Sequence, residues 1–236
     1  MNTLADKTAL VTGASSGIGL AITQSLLQQQ CTVIGIARDF SKTSLSSPLF
    51  ESHEQDLGQL EQTSQLIKSI AKSRPIDFFI HSAGAGLFGS IEQFSVRQTD
   101  EYLKSNLTSA IVISQQIIPM MKRRKSGRVI FIGSESALSA GRKGALYSAA
   151  KFGLRGFSQA LREDCSKDGI TVSLINPGMV KTPFFDQQNF RPGELPGNYI
   201  EARDVADSVL YILHSNPQIV IDEINLSPRN KSIDFK

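Results

Sequence analysis

The chain is poor in the residues that build metal centres and disulfide frameworks. Its 236 residues include no tryptophan, three histidines and two cysteines. Cys31 and Cys165 show no metal-ligand spacing, and two cysteines cannot make a framework of disulfides. We therefore predict that both are reduced and partly buried, as in a cytosolic protein, and that no metal is bound.

Long hydrophobic runs are also missing. No apolar run approaches the roughly 18 residues that would span a membrane. The first residues, MNTLADKTALVTG, contain no hydrophobic stretch followed by a cleavage site, which a secretory signal would require. The sequence thus predicts a cytoplasmic protein with no membrane partner.

A large excess of charge of either sign is missing too. Twenty-five basic residues are nearly balanced by 22 acidic ones, which leaves a net charge of +3. An excess this small argues against nucleic acid as a partner, and it is compatible with an anionic cofactor. With 40% hydrophobic and 20% charged residues, the composition is that of an ordinary soluble globular protein.

Short strand-like runs alternate with longer stretches of helical spacing along the whole chain. Predicted strands are 8–11, 32–37, 76–80, 128–133, 171–175 and 219–226, the last being the final strand. Predicted helices are 18–30, 57–73, 95–121 (bent), 147–167 and 202–214, and 41–52 is a loop or a poor helix. This alternation predicts an α/β fold, a doubly wound, Rossmann-like parallel sheet with helices on both faces. One domain is expected to cover residues 1–236.

The turn between the first strand and the first helix is rich in glycine. It reads TGASSGIG from Thr12 to Gly19, with glycines at 13, 17 and 19. Such a turn lets the backbone approach a pyrophosphate at a helix N-terminus, where free N–H groups and the helix dipole favour negative charge. The alternative is a tight turn without a ligand.

Tyr147 and Lys151 are four residues apart in a segment rich in small residues. On a helix both side chains would lie on one face. Lowering a tyrosine pKa from about 10 to near neutrality takes about 4 kcal/mol. One ammonium about 4 Å away at an effective dielectric near 20 supplies about that much. The pair could therefore make a proton-transferring phenol if it faces a cleft, and otherwise it is a surface accident.

These two motifs together resemble the short-chain dehydrogenase/reductase family. Other elements of that family appear in order. Asn106 lies in SNLTSA, Ser134 precedes Tyr147 by 13 residues, and Asn176-Pro177-Gly178 is followed by Thr182. The resemblance covers nearly the whole chain.

The resemblance implies NAD(P)-dependent hydride transfer between nicotinamide and a ketone, aldehyde or hydroxy acid. Tyr147 would exchange a proton with the substrate oxygen, and Ser134 would donate a hydrogen bond to it. Lys151 would lower the pKa of Tyr147 and bind the nicotinamide ribose. Asn106 would interrupt its helix and hold a water that leads protons to Lys151.

The resemblance also implies a set of cofactor contacts. They are Gly13, Ser15, Ser16, Gly17, Ile18, Gly19, Arg38, Asp56, Leu57, Ala83, Gly84, Tyr147, Lys151, Pro177, Gly178, Val180 and Thr182. Ala37 stands where family members that use NAD carry an acidic residue, and Arg38 suits a 2′-phosphate. We therefore expect NADP, although Asp39 could fold back onto the ribose.

Three further expectations follow from the resemblance. The family's first Asn after the fourth strand is His81 here, which we interpret as a buried structural residue. Residues 179–200 are expected to form a mobile substrate lid in which Phe184, Phe185, Phe190 and Tyr199 line the site or simply pack. The protein is expected to be a homodimer or homotetramer.

Two other functions remain open. A non-catalytic NAD(P)-binding regulatory protein could share the fold, although such proteins usually lose the Tyr or the Lys. An epimerase or dehydratase relative normally needs a larger substrate domain. The end of the chain, Asp222 to Pro228, weakly resembles the branch of the family that acts on 3-hydroxy acids.

Overall fold

A computed structural model describes residues 4–236. Its strands are β1 (Thr8–Thr12), β2 (Thr32–Ala37), β3 (Phe50–Glu54), β4 (Phe78–His81), β5 (Gly127–Ile132), β6 (Ile170–Pro177), β7 (Val180–Lys181), β8 (Phe190–Pro192), β9 (Ile200–Glu201), β10 (Glu223–Leu226) and β11 (Ile233–Phe235). Seven of them form one sheet in the order β10-β6-β5-β4-β1-β2-β3. Every pairing within this sheet is parallel.

Residues 4–236 contain six α-helices, and five of them contribute to the two cores beside the sheet. The six helices are α1 (Gly17–Gln28), α2 (Leu60–Ser73), α3 (Val96–Leu103), α4 (Ser109–Arg124), α5 (Ala145–Cys165) and α6 (Ala202–His214). Residues of α2, α4 and α5 pack in one hydrophobic core. Residues of α1 and α6 pack in a second core on the opposite face of the sheet. The predicted doubly wound fold is thus confirmed.

The central strands are apolar throughout because each is covered on both faces. In β1, Ala9 and Val11 belong to one core, and Leu10 between them belongs to the other. All three side chains are fully buried. Continuous apolar runs of this kind made the central strands predictable from sequence.

The strands at the sheet margins differ from the prediction. β3 begins inside the segment 41–52 that was expected to be a loop or a poor helix. Its sequence FESHE is polar and only partly buried, because it is an edge strand, and so it carries little hydrophobic signal. The strand predicted at 219–226 is confined to β10, and β11 follows it, so β10 is not the final strand.

The predicted bent helix over 95–121 is interrupted as expected. α3 and α4 are separated by a π-helical turn, Lys104–Thr108, which contains Asn106. Single π-helical turns of this kind are frequent at functional sites.

The loops that follow the parallel strands lie together at one edge of the sheet, where the strands have their carboxyl ends. β1 pairs with both β2 and β4, so the strand order reverses beside it. In an open α/β sheet, ligands bind outside the carboxyl ends of the strands at such a reversal. Segment 179–200 lies at this edge. It is not a free loop, because β7 pairs with β9 and β8 pairs with β11.

Candidate active site

The glycine-rich turn is built so that backbone, not side chains, faces the crevice. Gly13 and Gly17 have φ angles of +70° and +51°, which favour glycine. A Cβ added to Gly19 would lie 2.1 Å from the carbonyl oxygen of Gly13. α1 begins at Gly17, so its free N–H groups open toward the same crevice. The arrangement suits a pyrophosphate.

His81 fastens the strand ends behind this turn. Thr12 Oγ1 accepts hydrogen bonds from the backbone nitrogens of Ser82, at 3.2 Å, and Ala83, at 3.1 Å. It also lies 3.0 Å from Nδ1 of His81. The hydroxyl and Nδ1 share one hydrogen bond, and the tautomer of the ring decides which of them donates. Thr12 and His81 thus join the ends of β1 and β4, and the predicted structural role of His81 is confirmed.

Burial holds the His81 imidazole in its neutral form. The ring is completely buried, and burial together with the nearby charge of Lys151 lowers its pKa to about 3. A neutral histidine can therefore replace an amide at this position without placing a second charge beside Lys151.

Tyr147 and Lys151 lie one turn apart at the start of α5, and both are buried. Lys151 Nζ donates to the carbonyl oxygen of Ile132 at 3.0 Å and lies 5.9 Å from the centre of the Tyr147 ring. Burial lowers the pKa of Lys151 to about 8. The lysine is therefore held at the end of β5 and titrates close to neutrality.

The expected effect of Lys151 on Tyr147 is not found in this geometry. Burial raises the pKa of Tyr147 to about 12, a hydrogen bond with Ser134 lowers it, and the charge of Glu135 raises it further. In this geometry burial, Ser134 and Glu135 set the Tyr147 pKa, because the Lys151 ammonium is bonded to the Ile132 carbonyl. That Lys151 lowers this pKa during the reaction remains a prediction. At neutral pH the phenol is protonated and is a proton donor.

Ser134 and Asn106 complete the group from opposite sides. Ser134 follows β5, and its Oγ accepts a hydrogen bond from the backbone N–H of Ser136 at 3.1 Å. Asn106 Oδ1 accepts from the backbone N–H of Ala85 at 2.8 Å. A Cβ added to Gly84 would lie 3.1 Å from Asn106 Oδ1 and 3.7 Å from Lys151 Nζ. Asn106, Tyr147 and Lys151 thus meet at the loop that follows β4, and Ser134 lies beside Tyr147.

Every predicted cofactor contact lies on one of two adjoining clefts. The first cleft is lined by Gly13, Ser16, Gly17, Ile18, Gly19, Ala83, Gly84, Tyr147, Lys151, Pro177, Gly178, Val180 and Thr182, among others. The second is lined by Ser15, Arg38, Asp56 and Leu57, among others. The two share Gly13, Ser16, Ala83, Gly84 and Ala85, so together they form one continuous groove. Ser134 and Asn106 are buried next to lining residues of this groove and do not themselves line either cleft.

The far end of this groove carries two exposed cations. Arg38 and Lys42 both border it. Asp39 is held by its own loop, where its carboxylate accepts from the backbone N–H of Ser41 at 2.6 Å, which lowers its pKa. The Thr43 hydroxyl donates to the Ser15 carbonyl at 3.1 Å and draws this loop toward the glycine turn. Sequence analysis missed Lys42, whose only signal was a position four residues after Arg38.

Aromatic rings surround the other end. The ring centre of Tyr147 lies 4.9 Å from that of Phe88 and 6.0 Å from that of Phe184. Phe190 packs edge-on against Phe88 at 5.0 Å. Tyr199 instead stacks with Lys181, whose Nζ lies 4.6 Å from its ring centre. Phe88 was missed, because nothing in the spacing of AGAGLFGS links it to Tyr147.

Two classes of feature are not found in residues 4–236. No group of three or more histidine, cysteine, aspartate or glutamate side chains is placed to hold a metal ion there. None of the helices in that range has the length and apolar character needed to cross a membrane.

Residues 7–192 match the sequence model of a family described as short chain dehydrogenase. The chain belongs to the short-chain dehydrogenase family. It is an NAD(P)-dependent oxidoreductase of that family.

Relatives of this dehydrogenase align over nearly its full length. An uncharacterized oxidoreductase of Staphylococcus aureus (strain USA300) is 30% identical over 234 residues, which cover 97% of this chain and 100% of the relative. One from Staphylococcus saprophyticus is 29% identical over 234 residues, or 95% and 98% of the two chains. The crystal structure of a metagenomic short-chain oxidoreductase in complex with NADP has a TM-score of 0.83 at 27% identity. The alignment covers 98% of this dehydrogenase and all of that chain.

Proposed function

We propose that this dehydrogenase uses NADP(H) to interconvert small ketones or aldehydes with the corresponding alcohols. One observation carries the proposal. The Tyr147 phenol, with Lys151 beside it, lies in the wall of the same groove that begins at the glycine turn. A proton donor and a dinucleotide cradle on one surface are what carbonyl reduction requires.

The residues along the groove fit a dinucleotide. Gly19 has no room for a side chain, and the N-terminus of α1 offers free N–H groups to the pyrophosphate. Asp56 and Leu57 would hold the adenine, and Lys151 would hold the nicotinamide ribose. Thr182 and the backbone of Pro177 and Gly178 would hold the carboxamide. The related metagenomic oxidoreductase was crystallised with NADP, which supports this assignment.

The phosphorylated form of the cofactor is favoured by charge. Arg38 and Lys42 border the adenosine end of the groove, and the Asp39 carboxylate is bonded to Ser41. A 2′-phosphate would therefore meet two cations, and Arg38 offers it a planar donor fork.

The nicotinamide, when bound, supplies or accepts the hydride. In the reductive direction Tyr147 donates its proton to the carbonyl oxygen, and Ser134 donates a hydrogen bond to the same oxygen. The resulting phenolate is stabilised by Ser134 and by the ammonium of Lys151, and it recovers a proton through Lys151. Asn106 holds the loop after β4 through its hydrogen bond with the backbone of Ala85. The neighbouring Gly84 has no side chain, and this leaves the space between Asn106 and Lys151 open.

The remaining parts of the proposal concern the whole protein. We propose that segment 179–200 acts as a substrate lid and that the chain assembles as a homodimer or homotetramer. The face of α5 that carries Phe152, which is 42% exposed, and Gly156, which has open space beside it, is suited to close packing of a second copy. The two buried free cysteines favour a cytoplasmic location.

A screen of NADPH consumption over aldehydes, ketones and 3-oxo acids, together with the reverse alcohol oxidations, tests the reaction. We expect turnover with at least one neutral carbonyl compound and a matching alcohol product. Tight NADPH binding with no turnover on any compound would favour the second candidate, a regulatory protein that senses the cofactor. The joint presence of Tyr147 and Lys151 in one wall of the groove favours the enzyme.

A further inference from the structure

Four phenylalanines pack against Tyr147 or one another at the reacting end of the groove, and we call them the aromatic pocket: Phe88, Phe184, Phe185 and Phe190. Phe184 and Phe185 line the groove, and their ring centres are 5.0 Å apart. Phe185 and Phe190 lie 5.7 Å apart. Phe88 lies against the Tyr147 ring at 4.9 Å with a tilt of 38°. The Tyr147 phenol is therefore approached across aromatic rings.

The backbone is shaped to bring these rings together. A Cβ added to Gly86 would lie 2.7 Å from Cζ of Phe184 and 2.8 Å from Cε2 of Phe88. Glycine thus allows rings from two separate segments to meet over one backbone position. Gln188 Nε2 also donates to the Gly86 carbonyl at 3.3 Å, which joins the lid to the same loop. The aromatic pocket is a built feature of the site.

The nearby cations are committed elsewhere. Lys151 is bonded to the Ile132 carbonyl, and Lys181 stacks on Tyr199. Arg191 pairs with Glu194 at 2.7 Å. Lys236 Nζ donates to the carbonyl oxygens of Phe185, at 2.8 Å, and Asp186, at 3.1 Å. Lys151 is the one charged side chain among the residues that line the groove around Tyr147.

Lys231 is committed as well. Its Nζ lies 2.8 Å from the carboxylate of Glu135, the residue that follows Ser134, so this pair offers no free cation to an anionic substrate. Moving a carboxylate from water into an apolar pocket without a paired cation is costly, whereas a neutral ring gains from burial against phenylalanine. Arg142 and Lys143, in the neighbouring turn, have exposed side chains. If a substrate carboxylate were bound at this site, these two cations would be the candidates to bind it.

We infer that the substrate is an uncharged ketone or aldehyde that carries an aromatic ring or a comparable apolar group, and that free oxo acids are poor substrates. The inference rests on the proposed carbonyl reduction and specifies its substrate class. The ring of the substrate packs against Phe88, Phe184 and Phe185, which already pack beside the Tyr147 ring or one another. The apolar pocket therefore argues against 3-hydroxy acids as substrates, although the end of the chain weakly resembles the enzymes that act on them.

Two matched pairs of substrates test the inference in steady-state assays with NADPH. Ethyl 3-oxobutanoate and 3-oxobutanoate differ in charge, and we expect kcat/KM to be at least about 100-fold higher for the ester. 4-Phenylbutan-2-one and butan-2-one differ in the ring, and we expect a preference of at least about 10-fold for the phenyl compound.

Variants assign these preferences to the aromatic pocket. Phe88→Ala and Phe190→Ala are each expected to reduce the preference for the phenyl compound at least about fivefold, mainly through KM. Tyr211→Ala is the matched control, because Tyr211 is 65% exposed on α6. Phe88→Leu and Phe190→Leu keep the site apolar while they remove the ring, and they serve if an alanine variant fails to fold.

The outcomes separate the inference from the proposed reaction. Turnover of 3-oxobutanoate as fast as its ester would overturn the inference while carbonyl reduction stands. A loss of activity toward the acid in Arg142→Ala or Lys143→Ala would locate a carboxylate site and overturn it as well. An unchanged phenyl preference in all four phenylalanine variants would do the same. Absence of turnover on every carbonyl compound, with NADPH bound, would overturn both proposals.

Discussion

At the scale of single residues, the acid–base group is organised by burial. Burial raises the pKa of Tyr147 to about 12 and lowers that of Lys151 to about 8. The phenol therefore keeps its proton throughout the physiological pH range, whereas Lys151 loses its charge near the upper limit of that pH range. In the reductive direction this difference makes Lys151 the group that limits activity as the pH rises.

The pH profile of reduction should show this limit. We expect kcat/KM to be nearly constant from pH 6 to 7.5 and to fall above about pH 8, because neutral Lys151 no longer stabilises the phenolate of Tyr147. Lys151→Met should be much slower and should lack the decline near pH 8. A wild-type profile that stays flat to pH 10 would contradict this role, and cofactor binding measured across the same range is the control.

Arg38 offers a second test at a single residue. Loss of one charged contact to phosphate costs about 1.5–3 kcal/mol, or a 10- to 150-fold change in affinity. We expect Arg38→Ala to weaken NADPH binding by that factor and to leave NADH binding nearly unchanged. Lys42→Ala should act in the same direction. Titrations of both cofactors measure the effect, with the exposed Arg97→Ala as control, and an equal loss for NADPH and NADH in Arg38→Ala would refute the assignment.

His81 ties stability to pH. Its pKa is about 3 in the fold, against 6.5 for an ordinary histidine. The unfolded chain therefore binds more protons between these values, and stability that is present above pH 6.5 is lost as the pH falls. From pH 7 to 5 the loss amounts to about 2 kcal/mol, because one pH unit corresponds to about 1.4 kcal/mol for a single proton.

Urea unfolding at pH 7 and pH 5 measures this loss. We expect His81→Asn, which keeps a hydrogen-bonding group near Thr12, to lose about 2 kcal/mol less than the wild type over that interval. His53→Asn is a matched control, because His53 lies on the edge strand β3 and is only partly buried. Equal losses in wild type and His81→Asn would show that another group sets the pH dependence.

At the scale of elements, the proposed lid, residues 179–200, is held at defined points. The β7–β9 pairing closes its base, and the β8–β11 pairing fastens its middle. Lys236 adds contacts to the Phe185 and Asp186 carbonyls. Motion is therefore expected between these points, in residues 183–198, more than over the whole of 179–200.

Hydrogen exchange measures that motion. We expect residues 183–198 to exchange faster than the central strands and to become protected when NADPH and a substrate or product are bound. Lys236→Ala should speed the exchange of 183–192 and leave β1 and β4 unchanged. Strong protection of this segment both with and without ligands would contradict a role as a lid.

The elements also show what the sequence could and could not predict. Strands buried on both faces, such as β1, are continuous apolar runs and were located correctly. β3 was missed because an edge strand with exposed faces has a polar sequence. β8 and β11 are three residues each, and their pairing joins segments about 40 residues apart, which no local pattern encodes.

The candidate site divides in the same way. The glycines of the turn and the Tyr147–Lys151 pair were predictable, since backbone geometry and helix spacing restrict which residues can serve there. Phe88 and Lys42 were not, because each reaches the groove through the course of an irregular loop. Whether the pKa of Tyr147 is raised or lowered also depends on burial and on the orientation of Lys151. The sequence spacing of the two residues determines neither.

At the scale of the whole molecule, the fold brings both ends of the reaction to one edge of the sheet. The glycine turn after β1 and the cations after β2 lie on one side of the reversal in strand order. Ser134 after β5 and the Pro177–Gly178 turn at the end of β6 lie on the other. The groove between them is lined at one end by the glycine turn and at the other by Tyr147. The central claim is that this groove carries NADPH-dependent reduction with Tyr147 as the proton donor.

The most direct test compares wild type and Tyr147→Phe in NADPH consumption coupled to alcohol formation, with NADPH affinity measured in parallel. The substitution removes one oxygen and keeps the ring that packs against Phe88. The account predicts unchanged folding and cofactor affinity and a loss of kcat of about 100- to 10,000-fold. A Tyr147→Phe enzyme that keeps more than about a tenth of the wild-type kcat on a good substrate would contradict it.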